Sequence, residues 1–183
     1  MFIAKNNGKI ILAKGTEDEL LQGLNLMNYD VIEETDENYI LYNGQYLTET
    51  EVLSEVKVQK HNENQIALDK ARTSHIFTVT LQNQECEFDT KDKTQSDLNS
   101  AAIASGMGQP WLWTTNNRIT LSLMAEDIQI VSLAYMQAVN ADIAKWTEFE
   151  EQIEQAETVE AINAIVIDYT AEPANETDEP TDE

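Results

Sequence analysis

The chain has 183 residues, of which 34 are acidic and 11 are Lys or Arg, so its formal net charge at pH 7 is −23. Such a charge repels phosphate backbones and anionic lipid headgroups, which argues against nucleic acid and membrane surfaces as partners. Hydrophobic residues make up 42% of the chain, enough for a core, but no apolar run approaches the roughly 18–20 residues that span a bilayer, so we expect a soluble protein without membrane insertion.

Residues 1–48 predict a small α+β module. Asn6-Asn7-Gly8 separates two apolar runs, and Asn43-Gly44 separates two more. Asn and Gly tolerate the positive φ of tight turns, so both sites favour β-hairpins. Between them, Thr16-Glu17-Asp18-Glu19 has the pattern of a capping box, which opens a helix. We expect that helix to stop near Asn28.

Residues 49–75 predict a helical connector. The stretch contains no Gly or Pro, and along one helical stripe the apolar residues Val52, Val56 and Ile66 are separated by polar Gln59 and Glu63. A helix this polar is either a solvated connector or the seam of a weak oligomeric coiled coil. We favour the connector, because apolar residues are not sustained at the a and d positions over three heptads.

Residues 76–168 predict a second α+β domain with two β-hairpins. The first hairpin pairs residues 76–81 with residues 85–89. Residues 76–81 are rich in alternating β-branched side chains. The second pairs 111–113 with 118–121. Thr94 is placed between the hairpins as the N-cap of a helix.

The strongest periodic signal predicts a helix of about 50 Å after the second hairpin. Its apolar positions form one stripe: Met124, Ile128, Val131, Tyr135, Val139, Ile143, Trp146, Phe149, Ile153 and Ala156. One small domain is too short to cover this stripe, so we expect part of it to pack on the connector, on a short helix capped by Thr158, or on a partner subunit.

Residues 169–183 predict a disordered acidic tail. From Glu172 onward the chain has six acidic residues, no basic residue, two prolines and no large apolar side chain to bury. The fold class predicted for the whole chain is therefore α+β. It comprises a hairpin-helix-hairpin unit, a helical connector, a domain of β-hairpins and a long helix, and the tail.

The sequence offers weak candidates for chemistry. Cys86 is the only cysteine, so no intramolecular disulfide forms, which fits synthesis in a reducing cytoplasm. His75 precedes the strand that pairs with the Cys86 strand, an arrangement that suggests a Cys-His nucleophile. A lone cysteine is more often a small core residue, and no donor cluster accompanies this pair. We therefore predict no catalytic residues and a protein that is not an enzyme.

Two clusters of acidic residues suggest metal sites, but their spacing does not support this interpretation. Residues 33–37 are almost wholly acidic, and Asp89, Asp92 and Asp97 lie close together in the sequence. Neither group has the spacing with which a protein loop wraps Ca²⁺, and no cofactor fingerprint is present. We predict no metal and no cofactor.

The aromatic residues suggest an interaction surface. Trp111 and Trp113 lie two apart, so on a strand they face the same side. With Trp146 and Tyr135 they would form a platform for a saccharide or a peptide. Burial in a core is the favoured alternative, because aromatic side chains supply much of the apolar area that small cores bury.

Three features occur in a fixed order: a hairpin ending at Phe88-Asp89, the tryptophan-containing run at 111–121, and the segment 153–162 that follows a long helix. In this order they resemble a domain of unknown function that recurs in bacteriophage tail and tail-fibre proteins, over about residues 60–167. Asn116 departs from the family, which has an acidic residue there, and this weakens the case for a cation site in that turn.

The resemblance implies a virion tail protein near the fibre or baseplate, made in the host cytoplasm. Its partners would be other phage tail proteins, with a homo-oligomer as a further possibility. Our leading hypothesis is a non-enzymatic structural or adaptor protein. The alternatives are a soluble chaperone that holds a tail fibre during assembly and, with less support, an acidic mimic of DNA.

Overall fold

The computed structural model describes residues 1–24 and 27–170 and has the predicted α+β fold. Its elements are β1 (Phe2–Asn6), β2 (Lys9–Lys14), α1 (Glu17–Gly23), β3 (Val31–Glu34), β4 (Tyr39–Tyr42), β5 (Gln45–Thr48), α2 (Glu49–Ser74), β6 (Ile76–Leu81), β7 (Gln84–Asp89), α3 (Asp92–Gly106), β8 (Trp111–Thr114), β9 (Thr120–Leu123), α4 (Ala125–Gln155) and α5 (Val159–Ala164). Within the described ranges, no helix combines the length and the apolar composition that a membrane span requires.

The chain divides into two compact units. The first comprises Met1–His61 and Ile153–Ile165; the second comprises Asn62–Gln152 and, among the described residues, 166–170. The division falls inside α2 and α4. Of the predicted acidic tail, residues 171–183 lie outside the described residues, whereas residues 169 and 170 belong to the second unit.

The predicted hairpin at Asn6-Asn7-Gly8 forms β1 and β2, and β3 adds to it to make the sheet of the first unit. Its strands lie in the order β2-β1-β3, all antiparallel. Thr16 caps α1 by accepting a hydrogen bond from the Glu19 amide at 3.3 Å. The helix ends at Gly23 instead of near Asn28. A Cβ at Gly23 would lie 2.7 Å from Leu12 Cδ2, so a larger residue there would have to displace the Leu12 side chain.

A second cluster in the first unit buries the beginning of α2. Val52 and Val56 pack with Ile162 of α5, and residues of the antiparallel β4–β5 hairpin cover them. Thr158 caps α5, as predicted, by accepting from the Ala161 amide at 3.1 Å. The beginning of α2 is therefore part of a core and not a helix solvated on all sides.

The second unit encloses an aromatic core. Phe77 and Phe88 stack with their ring centroids 5.7 Å apart, and the edge of Trp113 meets Phe88 at 5.5 Å. The buried members of this core are Phe77, Leu81, Cys86, Phe88, Leu98, Ala101, Trp113, Leu121, Leu123, Ile128, Val131, Tyr135 and Ala138. Of the predicted α4 stripe, Ile128, Val131, Tyr135 and Val139 thus pack against both hairpins and α3, whereas Met124 precedes α4 and is 49% exposed.

Two predicted boundaries, the start of α3 and the start of β9, were wrong, because local hydrogen bonds determine where these elements begin. Thr94 is not an N-cap: α3 begins at Asp92, and the buried Thr94 hydroxyl donates to the Asp89 carboxylate. Strand β9 begins at Thr120 instead of at Arg118, whose φ of 64° places it in the turn.

The buried stripes of α2 and α4 also differ from the predicted ones. Ile66 is 68% exposed, whereas Asn64 on the same helix is fully buried. On α4, Ile143 is 44% exposed and the neighbouring Asp142 only 2%. Polar residues thus occupy positions that hydrophobicity alone assigns to apolar side chains.

Asn64 is held by three hydrogen bonds within the second unit. Its amide nitrogen donates to the Trp146 carbonyl at 3.2 Å and to Glu150 Oε1 at 2.7 Å. Its amide oxygen accepts from the Tyr169 hydroxyl at 2.8 Å. Buried amides are costly unless paired, and here both ends of the amide have partners.

Tyr169, which lies far from Asn64 in the sequence, is itself held in place by two contacts. Its carbonyl accepts from Lys145 Nζ at 2.9 Å, and its ring lies 5.8 Å from that of Phe149. Burial, together with the charges of Asp142 and Glu150, raises the pKa of Tyr169 to about 12. The hydroxyl therefore stays protonated at neutral pH and remains a donor to Asn64.

Replacing Asn64 with alanine is expected to lower the free energy of unfolding by about 1–3 kcal/mol, because the Tyr169 hydroxyl and the Glu150 carboxylate lose a buried partner. Urea denaturation followed by circular dichroism measures the change. Asn62, exposed on the same helix, is the matched control, and N62A is expected to stay within about 0.5 kcal/mol of wild type. Equal losses in the two variants would contradict the role given to Asn64.

Candidate interaction surface

The structure does not bring the four predicted aromatic residues together at the surface. Trp113 and Tyr135 are 8% and 7% exposed and lie in the core of the second unit. Trp111 is partly buried against that core, and Trp146 is partly buried beside Asn64. The predicted aromatic platform was therefore wrong for Trp113 and Tyr135, because both side chains pack in the core.

Cys86 and His75 do not form a nucleophile and base pair. Cys86 is fully buried on β7, opposite Val79, and burial raises the pKa of its thiol. His75 instead places Nδ1 3.2 Å from both carboxylate oxygens of Asp142. His75 and Asp142 line a cleft of about 430 Å³ together with Lys70, and Cys86 does not line this cleft.

The turn at 115–119 is held to β7 by backbone and amide hydrogen bonds. The Asn116 amide donates to the Glu87 carbonyl at 2.8 Å, and the Asn117 side chain donates to the Glu85 carbonyl at 2.8 Å. An aspartate in place of Asn117 would lack the N–H that donates to the Glu85 carbonyl. Across the described ranges, no group of three or more His, Cys, Asp or Glu side chains is placed to hold a metal ion.

Helix α4 contains a long stretch without exposed charge. Residues 128–144 include a single charged side chain, Asp142, which is buried. Charged residues make up 25% of the chain, so 17 residues of average composition would carry about four. The chain has a second such stretch, residues 98–117, which contains no charged residue.

Large apolar side chains are exposed along this stretch. Ile130, Leu133, Met136 and Ile143 are 47%, 55%, 53% and 44% exposed, respectively. We call residues 130, 133, 136, 137, 140 and 143 the outer face of α4; Gln137 and Asn140 are its polar members. The opposite side of the helix lies in the core, so α4 carries apolar residues on both sides.

An apolar, uncharged face on an otherwise acidic protein is typical of a protein–protein contact. The outer face of α4 is therefore the candidate interaction surface. The sequence analysis missed it, because it assigned Ile143 to the core and gave the other three no role. The signal available in the sequence was the run at 128–144 with a single charged residue, but the longer uncharged run at 98–117 gives the same signal.

Comparison with known proteins places the chain in a family. Residues 55–171 match a domain of unknown function, DUF4376. The chain belongs to the DUF4376 family. The DUF4376 match covers more than half of the chain and includes both hairpins of the second unit and the whole outer face of α4. No curated protein and no solved structure matches the chain.

The burial of Cys86 predicts a slow thiol. With its pKa raised and its side chain enclosed, we expect the native thiol to react with a disulfide reagent at least about 100-fold more slowly than an exposed one. Absorbance of the released thiolate measures the rate. A C86A/T78C double variant, with its cysteine at an exposed position of β6, is the matched comparison. Similar rates for the two native proteins would contradict the enclosed position of Cys86.

Proposed function

We propose that the chain is a non-enzymatic structural or adaptor protein of a bacteriophage tail, located in the fibre or baseplate region and acting through protein–protein contacts. The observation that carries the proposal is the exposed, uncharged outer face of α4. Binding between proteins requires apolar area that leaves water, and this face supplies it without desolvating a charge.

The tail location is supported by the resemblance described above. The features at residues 88–89, 111–121 and 153–162 occur in the order found in a domain of tail and tail-fibre proteins. All three lie within the DUF4376 match at residues 55–171. The buried Trp113 and the hydrogen-bonded turn after it make this segment structural, which agrees with a protein that offers a shape to a partner.

The same face also favours a second function, that of a soluble assembly chaperone. A chaperone for a tail fibre needs an apolar surface that covers the client before assembly, and a high charge elsewhere keeps such a complex from aggregating. Mimicry of DNA has less support, because a mimic needs carboxylates spread over its surface and α4 exposes none between residues 128 and 144.

Quantitative mass spectrometry of purified phage particles tests the proposal. We expect the wild-type chain in mature particles at a constant copy number. We expect L133E to reduce incorporation by about 10-fold or more, since a central apolar residue of an interface becomes charged. Leu112, 73% exposed on β8, provides the control L112E, which should be incorporated normally.

The location of the wild-type chain separates the two functions. A chain that is absent from particles but bound to tail fibres in infected-cell lysate is a chaperone and not a component of the tail. A chain found in neither place would rule out both functions. Circular dichroism of L133E and L112E establishes that each variant is folded before incorporation is compared.

A further inference from the structure

We propose that the acidic segment at residues 172–183 binds a cleft of about 460 Å³ in the second unit. We call this the basic cleft, because Arg72, Lys91 and Lys93 line it. It is a different surface from the outer face of α4, so the inference does not depend on the proposed function. The charge of the cleft, the donors that it offers and the position of Thr170, the last described residue, support this contact.

The basic cleft has the opposite charge to the chain as a whole. Three cationic side chains and two carboxylates, Asp69 and Asp92, line it, so its formal charge is +1 in a chain of −23. Two other clefts of the described residues are negative. Three glutamates and no cation line one of them, and two aspartates outnumber the single lysine in the cleft that contains Asp142, with His75 neutral. Of these three clefts, the basic cleft therefore suits an anionic ligand.

Arg72 supplies a donor that no described residue uses. A guanidinium carries five N–H groups, and the Arg72 Nε is buried without a hydrogen-bond partner among the described residues. A buried donor without an acceptor is costly. A carboxylate bound against this guanidinium in the cleft would accept a charge-assisted hydrogen bond and reduce that cost.

The two lysines retain donors although each already meets a carboxylate. Lys91 Nζ lies 2.8 Å from Asp89 Oδ2, and Lys93 Nζ contacts Asp97. An ammonium group has three N–H donors, so each lysine keeps two for a second carboxylate. The lysine side chains are 53% and 81% exposed, and exposed ion pairs are weak. These pairs therefore leave both lysines able to bind an acidic segment.

The acidic segment is tethered close to this cleft. Residues 172–183 carry six carboxylates and no basic residue. Thr170, two residues before the segment, lines a cleft together with Ser74 of α2, whereas Arg72 and Thr73 of α2 line the basic cleft. The two clefts thus lie on different sides of the last turns of one helix.

The segment is long enough to pass from one side of α2 to the other. A helix with its side chains is about 10–12 Å across, so a path around half of it is about 20 Å. Asp178 follows Thr170 by eight residues, which span about 26 Å when extended. Such a tether gives the segment an effective concentration on the order of millimolar, which favours it over anions carried by other molecules.

Binding of the segment would make the basic cleft a regulated surface. While it is bound, the segment excludes nucleic acid and acidic proteins from the cleft, because their anionic groups need the same donors. A partner of higher negative charge density would displace the segment by competition.

Paramagnetic relaxation in the full-length chain tests the contact. A C86A/T177C variant places a nitroxide between Glu176 and Asp178 without removing a carboxylate, and the same sample with its nitroxide reduced is the reference. We expect the amide signals of residues 72, 73 and 90–93 to broaden more than those of the outer face of α4. Raising the ionic strength to 1 M should remove the difference, because the Debye length falls to about 3 Å. Equal broadening throughout the second unit, or none, would overturn the proposal.

Charge variants of the nitroxide-labelled chain test the residues involved. We expect K93Q and R72Q each to lower the ratio of bound to free segment by about 1.5- to 5-fold. K9Q, at an exposed lysine of β2, is the matched control and should have no effect. Lys93 is largely exposed, so K93Q decides the result if R72Q fails to fold. Broadening that is unchanged in K93Q would overturn the proposal.

Neutralising the segment itself gives the complementary test. A variant with an amide in place of each carboxylate carries E172Q, E176Q, D178N, E179Q, D182N and E183Q. We expect it to lose the selective broadening around the basic cleft, because the attraction is electrostatic. Selective broadening that persists in this variant would show that the carboxylates are not what the cleft binds and would overturn the proposal.

A mixing experiment establishes that the contact lies within one chain. Isotope-labelled chain without a nitroxide is mixed with nitroxide-labelled chain that carries no isotope. We expect no broadening in the mixture, since the segment and the cleft belong to the same molecule. Selective broadening of residues 72, 73 and 90–93 in the mixture would show that the segment binds another copy and would overturn the intramolecular contact.

Discussion

A buried amide determines which residues of α2 and α4 face each other in the second unit. The Asn64 side chain is enclosed, so each of its polar atoms needs a partner, and those partners come from α4 and from Tyr169. A shift of one residue in either helix would leave the buried Asn64 amide without its hydrogen bonds, at a cost of several kcal/mol. Asn64 therefore contributes more to the alignment of the two helices than to the attraction between them. Single buried polar residues have the same effect in coiled coils.

The same constraint explains why α4 exposes apolar residues. Asp142 faces inward to meet His75, and the Trp146 carbonyl faces Asn64. Successive residues of a helix are 100° apart, so rotating α4 to bury Ile143 would turn Asp142 away from its partner and expose part of the aromatic core. The outer face is thus a consequence of how the inner face is held. Within the described residues, its side chains stay exposed although their burial would be favourable.

The parts of the fold that the sequence predicted are those that depend on neighbouring residues. The hairpin turns at Asn7 and Asn43 and the caps at Thr16 and Thr158 follow from local chemistry. The α4 helix and most of its inward-facing stripe followed from apolar periodicity, but the burial of Asp142 in place of Ile143 did not. Asn64 and Asp142 owe their burial to partners 105 and 67 residues away, and no local pattern identifies such a partner. The aromatic residues illustrate the same limit: spacing placed Trp111 and Trp113 on one side of a strand without indicating that this side faces the core.

Under the proposed function, the net charge and the outer face of α4 together make association selective. At −23 the chain repels other acidic proteins, while a basic protein drawn to it finds no exposed carboxylate between residues 128 and 144 to pair with. An apolar, uncharged surface gains the burial of this face without desolvating a charge. Affinity then comes from Ile130, Leu133, Met136 and Ile143, and discrimination comes from the charge that surrounds them. The proposed function thus combines a charge that opposes non-specific association with an apolar helix face at which a partner binds.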